Sequence, residues 1–336
     1  RRAHVQQSRG LKPVDGILGR KTRVALEALR PPAARDLLVN MEQWRWMPAD
    51  MGDFHIWVNI PEFTVRVIKN GAVIHTERVV TGTLANQTPI FSETMKTIVL
   101  RPDWVLPESI KVREAIPSLL RGSGMFYSSG LKIKKGSKPV EPRSIDWSRA
   151  DQRHYTFYQP PGDTNALGKV KFLFPNKHAV YLHDTPSKQL FANASRAYSH
   201  GCVRVRNPVR LAEILLGHDK GWEAGMVRDL AEGGPEDNRV TLDRPIPVHV
   251  TYFTVAPDEA GKLVGHKDIY GHAKRISLAL DGRWGEIDVP PDHLAPIEDR
   301  EFEWRIAAEQ QRAAQQRVQS GDPVGRFFQD LFGGGY

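Results

Sequence analysis

Alternating apolar and polar residues predict β-strands from about residue 53 onward. The runs Phe54 to Ile60 and Phe63 to Lys69 both alternate, and Asn70-Gly71 follows the second. An Asn-Gly pair between two alternating runs favours a type I′ hairpin, because both central residues of that turn need a positive φ. Further strand-like runs occupy 73–80, 97–100, 155–158, 171–174 and 179–183. A mainly antiparallel β domain with helices, of the α+β class, is therefore predicted.

The stretch between about 105 and 165 differs from the strands around it. It is rich in Gly, Pro, Ser and Lys, and it holds one helical stretch near 108–120. This composition indicates an inserted lid or capping subdomain rather than the core of a sheet.

Helices are predicted on both sides of the strand region. Asn207-Pro208 indicates a helix start, with asparagine as the cap and proline in the first turn, and this helix is expected to reach Leu216. Residues 10–30 are predicted to form a turn and a short helix with Val24, Ala25 and Leu29 on one side. A stretch of this length is too short to form a hydrophobic core of its own. Other predicted elements are a helix near 222–231, a strand over 246–255 and a polar helix over 295–318.

These patterns divide the chain into four parts. Residues 1–32 form a partial helical segment, and 33–52 form a linker. Residues 53–275 form the main domain, with 105–165 inserted into it. Residues 276–336 form a C-terminal extension that is partly helical and ends in a flexible Gly-rich stretch.

Charge and hydropathy limit the class of protein. The chain has 47 Lys and Arg against 39 Asp and Glu, a net charge of +8, and a pI near 9.5. This excess favours an anionic partner, but the basic residues are scattered, so nucleic acid is not the expected partner. No run approaches the roughly 20 apolar residues of a membrane span. The chain opens on Arg1-Arg2-Ala3 without an apolar signal region, so a mature or trimmed sequence is expected.

The single cysteine, Cys202, excludes an internal disulfide and a multi-thiolate metal site. It lies in the segment Ser199-His200-Gly201-Cys202-Val203-Arg204, and His183 ends an apolar strand upstream. A cysteine nucleophile needs a base, a group that orients the base, and donors for an oxyanion. These residue types are all present, so the segment is a candidate for nucleophilic catalysis.

The segment resembles the signature of the YkuD-type L,D-transpeptidase family, in which a His, a spacer, Ser/Thr-His-Gly-Cys-hydrophobic-Arg and an Asn follow one another. The resemblance covers roughly residues 36 to 275 and is closer to the large Gram-negative, YcbB-like branch. The supporting stretches are Met41 to Pro48, Val58 to Phe63, Gln87 to Pro89, Asn165 to Phe172 and His183 to Lys188. Residues 10–30 also resemble the second half of a peptidoglycan-binding module.

The resemblance implies a β-sandwich-like catalytic domain with a capping subdomain, and it implies roles for particular residues. Cys202 would be the acylated nucleophile and His183 its base, with the backbone carbonyl of Asp184 holding the other ring nitrogen. His200 and Gly201 would shape the turn, and N–H groups near Gly201 and Cys202 would stabilise the oxyanion.

Four further residues are implied as substrate-binding. Tyr181 would line the cleft, and Ser199 and Asn207 belong to the motif itself. Arg204 would either hold the motif together or meet a substrate carboxylate, because its guanidinium offers a bidentate fork.

The implied reaction is two-step acyl transfer on peptidoglycan stem peptides, with no metal and no organic cofactor. The implied partners are stem peptides and glycan, with carbapenem β-lactams as inhibitors. The implied cellular location is the periplasm, because the implied substrate lies there.

Other interpretations stay open at the level of sequence. His183, His200 and Cys202 could be three zinc ligands, since imidazole and thiolate suit zinc. Trp104 and Trp147 could be substrate contacts or core residues, and His75, His178 and His249 are expected to be structural. If water, rather than an amine of a neighbouring stem, attacked the thioester on Cys202, the chain would be an L,D-carboxypeptidase or endopeptidase. Without catalysis, it would be a peptidoglycan-binding scaffold.

Overall fold

The computed structural model describes residues 3, 6–7, 14–17, 19, 22, 32–120, 126, 129–145, 147, 150–258 and 260–289. The described residues form two compact units: the first lies within 1–76, 89–92 and 248–291, and the second within 77–88 and 93–247. The helix predicted over 295–318 and the helix predicted to carry Val24, Ala25 and Leu29 lie outside the described residues.

The strands and helices are numbered in chain order. Strands β1 to β15 are Phe54–Asn59, Thr64–Lys69, Ala72–Gly82, Phe91–Leu100, Trp104–Val105, Lys132–Lys135, Lys138–Val140, Tyr155–Gln159, Val170–Leu173, Leu182–His183, Ala197–Ser199, Val203–Val205, Asn238–Thr251, Val255–Pro257 and Leu263–Gly265. Helices α1 to α6 are Ala34–Trp44, Glu108–Ile110, Ile116–Leu120, Pro208–Lys220, Ala224–Gly233 and His272–Leu280. A π-helical turn, Lys111–Ala115, joins α2 to α3.

The first unit contains the predicted hairpin. β1 pairs antiparallel with β2, and β2 pairs with β3. Asn70 and Gly71 have φ values of 51° and 77°, so the type I′ turn predicted from Asn-Gly is confirmed. On its other side β1 pairs in parallel with the end of β13, and every residue of β1 is buried. The alternation in β1 therefore does not mark a solvent face.

Residues 33–52 hold a helix, which corrects their interpretation as a linker. Asp36 accepts a hydrogen bond from the Ala33 N–H and closes the start of α1. Asn40 donates to the Thr254 hydroxyl, and Arg35 pairs with Asp281. These contacts within the first unit hold α1 in place.

The second unit is built on a sheet with the strand order β11-β3-β12-β10-β9-β4. The pairs β3–β12, β9–β10 and β4–β9 are antiparallel, while β10–β12 and β11–β3 are parallel. Antiparallel pairs thus predominate, and the α+β class is confirmed. The parallel pair β10–β12 was not predicted, and it brings the two halves of the sequence motif together.

Several predicted boundaries differ from the structure. The strand predicted over 179–183 is restricted to Leu182–His183, because Ala179 has a φ of 53° and Asn176 donates to the Val180 carbonyl. Helix α4 runs past Leu216 to Lys220 and ends at Gly221, whose φ of 66° suits a helix C-terminus. β13 begins at Asn238, ahead of the predicted 246, and ends at Thr251.

The inserted segment has its own sheet and its own apolar core. The sheet order is β5-β8-β6-β7. Tyr181 packs against this core, and Trp147 belongs to it as a buried residue whose indole N–H donates to the Pro142 carbonyl at 2.8 Å. The core residues are Trp104, Leu106, Val112, Ala115, Ile116, Leu119, Phe126, Leu131, Ile133, Trp147, Phe157, Ala166 and Leu167.

In the described part of the chain, none of the helices has both the length and the apolar character needed to cross a bilayer.

Candidate active site

A cavity of about 240 Å³ in the second unit brings most of the predicted site residues together. Its lining combines the ends of the central strands with the start of the inserted segment. It is lined by Trp104, Pro107, Glu108, Ser109, Ile110, Ala166, Leu167, His178, Ala179, Val180, Tyr181, His183, Ser199, His200, Cys202 and Arg204.

The register of two parallel strands places the motif residues side by side. Leu182 pairs with Val203 and His183 with Arg204, and the Val203 N–H donates to the Tyr181 carbonyl at 3.1 Å. Residues two apart on a strand point to the same face. Tyr181, just before β10, and His183 therefore share the cavity with Cys202, just before β12, and Arg204.

The imidazole of His183 is buried and held in one tautomer. Its Nδ1 donates to the backbone carbonyl of Asp184 at 2.5 Å, as the family resemblance implies, which leaves Nε2 as an acceptor. Burial, followed by the positive charges of Arg204, Lys171 and Lys188, lowers the pKa of His183 to about 3. The ring is thus neutral at physiological pH, and the negative charge that forms on Cys202 has to offset these effects when the ring takes up a proton.

The low pKa of His183 also affects stability. The unfolded chain binds a proton at this residue near pH 6.5, whereas the folded chain does so only near 3. Above pH 6.5 the buried, neutral imidazole therefore costs no stability. As the pH falls from 6.5 toward 3, the unfolded chain takes up the proton first, so the free energy of unfolding decreases.

The side chain of Asp184 supports the loop that follows His183. Its carboxylate accepts hydrogen bonds from the backbone N–H groups of Lys169 and Thr185 and from Lys188 Nζ. These bonds occupy both carboxylate oxygens, and only the backbone carbonyl of Asp184 meets the histidine. Asp184 is thus not placed as the acid of a triad.

Cys202 is partly exposed to the cavity, and its hydrogen bonds run to Tyr181. Burial raises the pKa of the thiol, while the Tyr181 backbone, Lys171, Arg204 and the Tyr181 hydroxyl act in the opposite direction. The resting pair is therefore a neutral thiol and a neutral imidazole. In enzymes, hydrogen bonds between nucleophile and base often tighten only when substrate binds.

Tyr181 is more than a lining residue, because its hydroxyl bonds both Cys202 and the Trp104 side chain. Burial raises the pKa of this phenol, and the charge of Cys202 acts in the same direction. The hydroxyl thus remains protonated and able to donate toward a thiolate. Trp104, which is buried, connects the inserted segment to this group.

His200 contacts a carboxylate that the sequence did not indicate. Its Nε2 lies 3.2 Å from Glu114 Oε1, and Glu114 comes from the π-helical turn of the inserted segment. Glu114 Oε2 is buried and has no hydrogen-bond partner among the described residues. π-Helical turns occur frequently at functional sites.

We expect Glu114→Gln to slow acylation of Cys202 about fivefold, since a charge-assisted hydrogen bond is replaced by a neutral one worth about 1 kcal/mol less. The measurement is the rate of covalent adduct formation by intact mass spectrometry. Glu141→Gln, an exposed carboxylate of the same inserted segment, serves as the control. Equal rates for Glu114→Gln and wild type would exclude a role of Glu114 in placing His200.

The turn before Cys202 is held by hydroxyl groups. Ser199 Oγ donates to the Cys202 carbonyl and accepts the Gly201 N–H at 3.2 Å. Thr88 Oγ1 donates to the Gly201 carbonyl and accepts the Gly82 N–H, each at 2.8 Å. Gly201 has a φ of 116°, which favours glycine.

These bonds change the expectation for the oxyanion. The Gly201 N–H is engaged by the Ser199 hydroxyl, so it is not free to bind an oxyanion in this arrangement. The hydroxyl of Ser199 is likewise used in the turn, although the residue lines the cavity. Both residues thus shape the position of Cys202 and its own N–H.

Thr88→Val is expected to destabilise the second unit by about 2 kcal/mol, because the Gly82 N–H and the Gly201 carbonyl lose a buried partner. The measurement is the midpoint of chemical unfolding, together with the acylation rate. Thr88→Ser keeps the hydroxyl and should stay close to wild type. A Thr88→Val chain with unchanged midpoint and rate would show that these bonds do not hold the turn.

Arg204 is a buried cation with nitrogens left unpaired. Its Nε and Nη1 have no hydrogen-bond partner within the described part of the chain. Burial lowers the pKa of Arg204 to about 10, and the charge of Cys202 opposes this shift. A buried donor without an acceptor is costly, so Arg204 is suited to receive an anionic group of a ligand.

Asn207 makes a side-chain contact that the sequence did not predict. It precedes α4 but makes no side-chain cap, and its amide donates to Glu77 at 2.5 Å instead. Asn207 is also absent from the cavity lining. The predicted side-chain cap is therefore wrong, whereas the substrate-binding role of Asn207 stays a prediction.

The zinc interpretation does not fit the arrangement. No three or more His, Cys, Asp or Glu side chains among the described residues are grouped so that they could hold a metal ion. His200 faces Glu114, and His183 bonds a backbone carbonyl. His183, His200 and Cys202 therefore act separately around the cavity.

Some site residues were missed or misjudged from sequence. Thr88 lies in the stretch Gln87 to Pro89, which supported the resemblance without suggesting a role. Lys171 lies in another such stretch, while Glu114 had no sequence signal. His178 was expected to be structural, yet it lines the cavity.

The comparison with protein families identifies the chain. Residues 53–232, more than half of the sequence, match the profile of the L,D-transpeptidase catalytic domain, YkuD. The chain is also 34% identical over 248 residues to a putative L,D-transpeptidase of Haemophilus influenzae, with 72% of this chain and 49% of the relative covered. The chain belongs to the L,D-transpeptidase family. It spans about half the length of this curated relative.

Solved structures of L,D-transpeptidases are similar at low identity. One from Stackebrandtia nassauensis is 14% identical, covers 74% of this chain and 75% of its own, and has a TM-score of 0.26. LD transpeptidase LdtMt1 in complex with imipenem is 15% identical, covers 59% of each chain, and also has a TM-score of 0.26.

Proposed function

We propose that this chain is a peptidoglycan L,D-transpeptidase with Cys202 as its nucleophile. The observation that carries the proposal is the cavity that Cys202 shares with the neutral imidazole of His183, in a chain of the L,D-transpeptidase family. The thiol has a hydrogen-bond donor beside it in Tyr181, and the imidazole has a free acceptor nitrogen. These groups are the parts that thiol acyl transfer requires.

The first step transfers an acyl group to the enzyme. Cys202 Sγ attacks the carbonyl carbon of the amide that follows the third residue of a stem peptide, and the thiol proton passes to His183 Nε2. The C–N bond then breaks, and the imidazolium returns the proton to the leaving amine. The terminal D-amino acid departs and a thioester remains on Cys202.

The second step forms the cross-link. An amine of a neighbouring stem attacks the thioester carbonyl, the C–S bond breaks, and the amine proton returns through His183 to the thiol. A new amide joins the two stems. None of these bond changes needs a metal or an organic cofactor.

The charges and walls of the cavity support this substrate class. The unpaired guanidinium nitrogens of Arg204 suit the terminal carboxylate of the donor stem. The inserted segment supplies Trp104 and 107–110 as one wall, which restricts water near the thioester and favours the amine over hydrolysis.

Several finer assignments belong to the same proposal. The chain acts in the periplasm, where its substrate lies, and it belongs to the large Gram-negative, YcbB-like branch. Residues 1–32 are part of a peptidoglycan-binding module. Carbapenems acylate Cys202, as the family resemblance implies.

The test uses the full chain and purified disaccharide-tetrapeptide muropeptides, with products followed by mass spectrometry and Cys202→Ala as control. We expect dimers that have lost one D-Ala, and none with the mutant. Release of D-Ala without dimers, even with excess acceptor stem, would replace the transpeptidase with an L,D-carboxypeptidase. Retention on murein sacculi with no product would replace it with a binding scaffold.

A further inference from the structure

Lys171 lies in a row of side chains that crosses the three central strands of the site. On β9 it pairs with His183 of β10, and His183 pairs in turn with Arg204 of β12. Residues directly opposite one another on adjacent strands project from the same face. Two cations, Lys171 and Arg204, therefore flank the imidazole of His183.

The ammonium of Lys171 lies over the ring that contacts the nucleophile. Lys171 Nζ is 4.3 Å from the centroid of the Tyr181 ring, within the range of a cation–π interaction. The same ring is 5.5 Å from the imidazole of His183, and its hydroxyl bonds Cys202. Lys171 is thus connected to the thiol through one side chain.

The charged groups around Lys171 come from three other elements. Asp103 follows β4, Asp237 and Arg239 lie at the start of β13, and Cys202 precedes β12. Burial lowers the pKa of Lys171, and negative charge on Cys202 has the largest opposing effect, ahead of Asp103. Asp237 pairs with Arg239 and Lys171 has no salt bridge within the described residues, so no carboxylate neutralises its ammonium by direct contact.

We propose that Lys171 is a positioning residue for the nucleophile: its ammonium stabilises the negative charge of Cys202 through space and through the Tyr181 hydroxyl. A cation on the face of a phenol makes its hydroxyl a stronger donor, and that hydroxyl points to Cys202. The inference rests on the proposed function, because that function makes Cys202 the attacking group.

The arrangement also explains why two cations flank His183. Positive charges on either side disfavour the imidazolium and favour the thiolate, so they act on both partners of the proton transfer. Arg204 is suited to a substrate anion, whereas Lys171 is covered by the Tyr181 ring. Lys171 therefore still acts on the charge of Cys202 when Arg204 binds a substrate anion.

The test is the pH dependence of Cys202 alkylation by iodoacetamide, followed by intact mass. Each reaction forms one S–C bond and releases iodide, and the single cysteine makes the adduct unambiguous. The groups that face the thiol are Tyr181, His183, Lys171 and Arg204. In Lys171→Met we expect the alkylation midpoint to rise by about one pH unit, which slows the reaction about tenfold at pH 7.

The controls separate charge from structure. Lys171→Gln is made in parallel, so that a folding defect of one neutral variant does not remove the test. Lys171→Arg keeps the charge and should keep the wild-type midpoint. Lys169→Met removes an exposed lysine two residues away, whose Nζ pairs with Glu232, and should also titrate like wild type.

Folded neutral variants that titrate with the wild-type midpoint would overturn the role of Lys171, even if their stability were lower. This result is separate from the proposed function. If the wild-type chain formed no thioester with a donor stem, the proposed transpeptidase function would be contradicted. The comparison of alkylation midpoints would still test the role of Lys171.

Discussion

Cys202→Ala is expected to lower the rate of cross-link formation by about 10⁴-fold or more, because no other thiol exists in the chain to form the thioester. The substitution removes one sulfur atom from a residue that is partly exposed to the cavity, so folding should be preserved. The measurement is the initial rate of dimer formation from tetrapeptide muropeptides, with unfolding midpoints for both chains.

Cys202→Ser provides the matched control for shape. It keeps a hydrogen-bonding group next to Tyr181 but replaces the thiol by a hydroxyl, which ionises much less readily than a thiol. We expect Cys202→Ser to fold like wild type and to be as inactive as Cys202→Ala. Dimer formation by the alanine variant would contradict the role of Cys202.

His183→Gln is expected to slow acylation of Cys202 about 10³-fold at pH 7, the range found for removal of a general base. Glutamine can still donate to the Asp184 carbonyl, but its amide takes no proton from the thiol. Burial raises the pKa of Cys202, so the variant must rely on a small fraction of thiolate. The measurement is the rate of adduct formation with a carbapenem or a donor stem.

The pH dependence of the same rate separates the base from a structural histidine. Below the raised pKa of Cys202, the thiolate fraction grows about tenfold per pH unit, and the His183→Gln rate should follow it. In wild type the His183 pKa is about 3, so protonation of His183 does not lower the rate between pH 7 and 5. His154→Gln, an exposed histidine, is the control. Parallel pH profiles for wild type and His183→Gln would contradict a base role.

The sequence predicted those features of the structure that depend only on residues close together in the chain. The turn at Asn70-Gly71 formed as predicted, because its backbone requirement lies within two residues. The bond from His183 to the Asp184 carbonyl also joins neighbours in sequence. Asn207 makes no side-chain cap, and its amide nitrogen instead donates to Glu77, which comes from a strand far away in the sequence.

The contacts that the sequence did not predict join segments far apart in the chain. Thr88 reaches Gly201 across 113 positions, and its role depends on how β3 and β12 pair. Glu114 reaches His200 through a π-helical turn, which no periodic pattern indicates. Lys171 lies next to His183 because β9 pairs with β10. The alternating pattern by itself indicates only that this lysine is part of a strand.

The most direct test of Cys202 as the acyl acceptor is the intact mass of the chain after brief incubation with a purified tetrapeptide donor, followed by peptide mapping. The proposed mechanism predicts a mass gain equal to the donor minus its terminal D-amino acid, located on the peptide that carries Cys202 and lost on treatment with an amine. No adduct on Cys202, or the same adduct in the Cys202→Ala chain, would contradict it.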